Sequence, residues 1–94
     1  MPTRSPVPQE VSDALQRVVR RWQQLPLDHA LRCAPAVRAL LADLAGDDAP
    51  LLPDLGPGVL MDQLAVLVFD ACAAGGPGVD SLPSRLRGLL AGLS

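Results

Sequence analysis

Three groupings of side chains in this sequence have types and spacings that could do chemistry. His29 and Cys33 stand four residues apart, which places both on one face of a helix, and Cys72 could join them as a third ligand. Imidazole and thiolate together suit a metal such as zinc. The fourth ligand would have to be an unassigned Asp, and no paired CxxC or HxxxH reinforces the set. The expectation is therefore no metal and no cofactor, with a small-ligand or metal site near His29, Cys33 and Cys72 kept as the alternative. Asp62 and Asp70 also share a helix face and invite general acid–base work. At about 1.5 Å rise per residue their backbones stand about 12 Å apart, too far for two carboxylates to act on one scissile bond. With a single histidine and no nucleophile paired to it, no catalytic residue is assigned and an enzyme is not expected.

The third grouping is basic. Arg17, Arg20 and Arg21 fall at i, i+3 and i+4, one patch on the side of a helix opposite its apolar stripe. They belong to a wider segregation of charge. Residues 1–38 carry six Arg against three acids, residues 39–80 carry seven Asp and no base, and two further Arg follow. Such asymmetry marks a docking face, for nucleic acid or for an acidic protein surface. The formal net charge of −2 and the absence of aromatic residues among the arginines argue against nucleic acid. A helix-turn-helix is argued against by the long loop between the second and third helices, since that motif uses only about 3 to 4 residues there. The partner expected is a protein or a second copy of the chain, as in a homodimer.

The stretch Gly78-Val79-Asp80-Ser81-Leu82 resembles the Gly-x-Asp-Ser-Leu site at which acyl carrier proteins take phosphopantetheine on the serine. The resemblance covers five residues and implies a carrier serine at Ser81. In those carriers two more helical segments follow the serine, whereas here Pro83 comes at once and about a dozen residues remain. Ser81 as a helix cap explains the same letters.

These side chains must be positioned by helices. Val11, Leu15, Val18, Trp22 and Leu25 recur at spacings of 4, 3, 4 and 3, which is one stripe of an amphipathic helix. Pro26 closes it, and Asp28 offers an N-cap for a second helix. Ala30, Cys33, Val37, Leu40, Leu41 and Leu44 keep register across Pro35, predicting one helix kinked there rather than two. Gly46 stops it, and the Pro-rich stretch to Gly56 reads as a loop that packs down through Leu51, Leu52 and Leu55. Pro57 opens a third helix that is apolar around more than half its circumference and is expected to be central and most buried. Gly75 to Gly78 end it, and Leu82, Leu86, Leu89, Leu90 and Leu93 line a fourth, capped by Asp80 or Ser81 and weakened by Gly88 and Gly92. The fold expected is an all-α four-helix bundle, with helices near 8–25, 28–45, 57–74 and 81–93, behind a flexible tail over residues 1–7.

Composition agrees. The chain is 49% hydrophobic and 19% charged, with one Trp, one Phe and no Tyr. That is too apolar for disorder, and its apolar runs are interrupted by acids, so no membrane span is expected. The favoured residues share GC-rich codons, pointing to a bacterial genome of that kind. Residues 1–8 hold no apolar signal segment, so the expected location is the cytoplasm, where two cysteines are more simply buried thiols than a disulfide. A domain of 94 residues buries only about 60 to 65% of its unfolded surface. Apolar side chains left over from so thin a core are candidates for a partner surface. Val59, Val66 and Ala73, lying among Asp62, Gln63 and Asp70, are the place to look.

Overall fold

In the computed structural model, residues 7–47, 56–75 and 77–93 are described. Four helices carry the chain: α1 (Gln9–Gln24), α2 (Leu27–Ala45), α3 (Leu60–Ala74) and α4 (Leu82–Gly92). Short 3-10 turns at Pro57–Val59 and Pro77–Ser81 lead into the last two. No strand occurs among the described residues. The architecture is the all-α four-helix assembly that the apolar periodicity predicts.

The helix ends follow from local chemistry. Pro26 holds Leu25 in extended backbone at φ −75° and ψ 138°, because the proline ring crowds a helical residue before it. The Leu25 amide still reaches the Trp22 carbonyl at 3.1 Å, and the Pro26 carbonyl already accepts the Ala30 amide at 2.9 Å. Two residues therefore suffice to turn α1 into α2. Asp28, expected at the N-cap, instead sits inside the first turn because the helix starts at Leu27; its carboxylate still faces the positive end of the helix dipole. Gly46 and Gly75 take φ of 59° and 66° after α2 and α3, backbone that side-chain-bearing residues resist. The Gly75 amide donates to the carbonyls of Ala71 and Cys72, each at 3.2 Å. Ser81 occupies the N-cap position of α4 but its side chain makes no capping bond to the helix. The expected hydroxyl cap is thus replaced by the 3-10 turn that runs straight into α4.

α2 is unbroken through Pro35. The missing amide deprives the Leu31 carbonyl of its helical donor. Both residues lie on the exposed side of α2, where water can serve that oxygen, which is why a proline survives mid-helix.

Packing departs from expectation at α3. The main contacts are α1 with α4 and α2 with α3, so the bundle is two helix pairs rather than three helices around a central one. Only 28% of the stretch Pro57–Ala74 is buried. By length and composition alone that stretch, with mean hydropathy 1.4, is apolar enough to cross a membrane; in the fold its inner side packs with α2. The core is aliphatic, with Val11, Val18, Val37, Leu64, Val68 and Leu86 all but sealed from solvent, and Trp22 buried beside them. α2 and α4 run antiparallel, since Asp43 pairs with Arg85 near one end of the contact and Cys33 meets Gly92 at the other.

The tail expected over residues 1–7 lies outside the described residues as far as residue 6, whereas Val7 packs half-buried against the core. The packing expected of Leu51, Leu52 and Leu55 also lies outside the described residues.

Candidate interaction surface

α3 buries Leu60, Met61, Leu64, Val68 and Cys72 on one side. Turning by about 100° per residue, the helix brings Asp62, Val66, Phe69, Asp70 and Ala73 to the opposite side, and all five are exposed. Val66 and Phe69 are 58% and 49% exposed. The sequence-predicted partner residues Asp62, Val66 and Asp70 thus share one outward face, with an acid one helical turn before Val66 and another one turn after it. Among the described residues neither carboxylate has an ion-pair partner. Val59, also proposed for this face, is half-buried in the preceding turn. Leu27 and Leu31 on α2 are 67% and 49% exposed, which adds apolar surface on the helix that α3 packs against.

The basic patch lies on the other pair. Arg17 and Arg20 are exposed and line one shallow depression with Asp13 and Gln16. Arg21 is half-buried, so the predicted patch is essentially two arginines. Arg17 also lines a groove of about 190 Å³ between α1 and α4 with Glu10, Asp13 and Arg87. That groove holds two acids and two bases, and the Asp13 carboxylate accepts from Gln9 Nε2 at 2.8 Å. Its mixed charge gives no net field for an anion. On the other flank of α1 a depression of about 320 Å³ is lined by Leu15, Gln16, Val19, Arg20 and Gln23, with no acid among them.

His29, Cys33 and Cys72 do not gather into a ligand set. Among the described residues no group of three or more His, Cys, Asp or Glu side chains is placed to hold a metal. Cys33 Sγ lies 3.8 Å from the Gly92 carbonyl oxygen at the end of α4. Cys72 is part of the buried cluster, and burial pushes its thiol pKa up, away from the thiolate that a metal or a nucleophilic step requires. Both cysteines are free.

No family model, curated protein or solved structure matches the chain. What the surface does must then be argued from its own residues. Phe69 is the member that sequence reasoning missed. The signal was present, because Phe69 lies seven residues after Asp62 and so falls beside it on the helical wheel. Arg87, which reaches the Arg17 groove from α4, carried no sequence signal, since the pairing of α1 with α4 is a tertiary fact.

Proposed function

We propose that this protein is a small non-catalytic interaction module that binds a protein partner through the outward face of α3. One observation carries the reading. The chain's single Phe stands half out of the fold beside an exposed Val, on a face with two carboxylates that have no ion-pair partner among the described residues. An exposed aromatic and a β-branched residue within a polar rim have the composition of a small recognition patch. Catalysis finds no support here, because the titratable groups in the α1 depressions are solvent-facing Glu, Asp and Arg without a nucleophile beside them. The acids at both ends of the face favour a basic protein surface over an anionic membrane or a nucleic acid. A cytoplasmic setting suits two free thiols.

A photo-crosslinking residue placed at position 69 in cells tests this reading, with the same residue at exposed Ala39 of α2 as control. Specific adducts from 69 and none from 39 are expected. No adduct at 69, or equal labelling at both, refutes a recognition role for this face.

A further inference from the structure

The pattern on α3 restricts what covers it. Asp62 and Asp70 lie four residues either side of Val66. If two copies met α3 against α3 in antiparallel fashion about Val66, Asp62 of each would face Asp70 of the other. Like charges set directly opposite one another repel, so this symmetric contact works against itself. The complement of the face is instead apolar at its centre and basic at its rim.

The chain carries such a complement on α1. Leu15 and Val19 form a half-buried floor, Gln16 and Gln23 stand beside it, and Arg20 is exposed at its edge. The groove on the α4 side of α1 is a poorer match, because Glu10 and Asp13 line it. α1 and α3 belong mainly to different helix pairs, and among the described residues the Leu15 and Val19 floor lies in an open depression.

We propose that the occupant of the α3 face is a second copy of this chain, docked by its α1: Phe69 and Val66 rest on Leu15 and Val19, and Arg20 pairs with Asp70. The contact is heterologous, one face of one copy against a different face of the next, and Asp70 meets Arg20 instead of the Asp62 of a like face. This rests on the α3 face being a recognition surface and adds the identity of what it recognises.

Sedimentation velocity of the purified full chain, over a wide concentration range at low and at high salt, is the test. Reversible self-association that weakens as salt rises is expected. Arg20→Asp should weaken it by about tenfold or more, as should Phe69→Ser, and circular dichroism should remain that of the parent because both positions are exposed. The double variant Arg20→Asp with Asp70→Arg restores the charge pairing and should regain most of the lost association. A wild-type chain that stays monomeric throughout overturns the proposal. So does association that Arg20→Asp leaves unchanged, which would put the contact elsewhere. A monomeric chain whose position 69 still crosslinks a different protein in cells would remove the second copy and leave the recognition role of α3 intact.

Discussion

Replacing Phe69 and Trp22 by alanine, one at a time, separates a surface aromatic from a core one. Trp22 is 8% exposed and packs in the central cluster, whereas Phe69 is 49% exposed on the outside of α3. Truncating a fully buried aromatic to alanine costs about 3 to 5 kcal/mol, part from lost burial and part from the cavity left behind. Phe69 has given up only about half of its surface and leaves an open notch that water fills, so its truncation should cost about 1 kcal/mol. A domain of 94 residues is held together by roughly 5 to 14 kcal/mol in all. The Trp22 change therefore removes a large share of stability and lowers the melting temperature by tens of degrees, against about 4 to 8 °C for Phe69. Urea unfolding followed by circular dichroism reads both variants. A Phe69 loss equal to that of Trp22 would make Phe69 a core residue and refute α3 as a free face. A near-neutral Trp22 would move the binding surface to α1.

Pro35→Ala should stabilise the protein by about 2 to 3 kcal/mol, seen as a higher urea midpoint, because α2 is already helical there and alanine restores the missing amide to the Leu31 carbonyl. Gly88→Ala should add about 0.5 to 1 kcal/mol, since a Cβ there meets nothing within 4 Å, whereas Gly75→Ala should cost about 1 kcal/mol because of its φ of 66°; thermal melts distinguish the two signs. Burial raises the Cys72 thiol pKa above its ordinary value of 9.0. The unfolded chain then ionises first, so this contribution to stability is intact below about pH 8 and declines as pH rises toward the folded value. Melting temperature measured from about pH 8 to about pH 10 should fall less steeply in Cys72→Ala than in the parent. Cys33, half-exposed, should react with a thiol reagent before Cys72 does.

Helix number, order and approximate limits were legible because each depends on a few neighbouring residues. Val11, Leu15, Val18 and Trp22 repeat at the helical period, Pro26 forces an extended residue before it, and Gly46 and Gly75 accept backbone that other residues resist. Register across Pro35 was legible for the same reason. The pairing of the helices was not. Whether α3 packs with α2 alone or sits among all three depends on distant contacts that periodicity cannot weigh, and an apolar wheel is equally consistent with a helix buried all round and with one that keeps a bare apolar face. The Asp28 and Ser81 caps failed at a finer scale, where a one-residue shift in the helix start or an introductory 3-10 turn changes which groups meet the first amides.

The same ambiguity explains why the outward direction of Asp62, Val66 and Asp70 was legible and that of Phe69 was not. Asp62 and Asp70 announce an outward direction because carboxylates without partners are costly to bury, and Val66 inherits that direction by lying between them on one face. Phe69 lies on that face too, yet no charge beside it in sequence on the same stripe was used to give it a direction. In a chain this short the helices meet mainly in two pairs, so a helix can satisfy its own packing with one stripe and leave a large residue outside. The exposure of Phe69 is therefore a consequence of pairing α2 with α3, and the two flanking acids keep the exposed stripe soluble while disfavouring its antiparallel contact with the α3 face of another copy. That combination of tolerated apolar exposure and self-repulsion is what directs attention to a basic complement, and the complement proposed within this chain is Arg20 beside the Leu15 and Val19 floor.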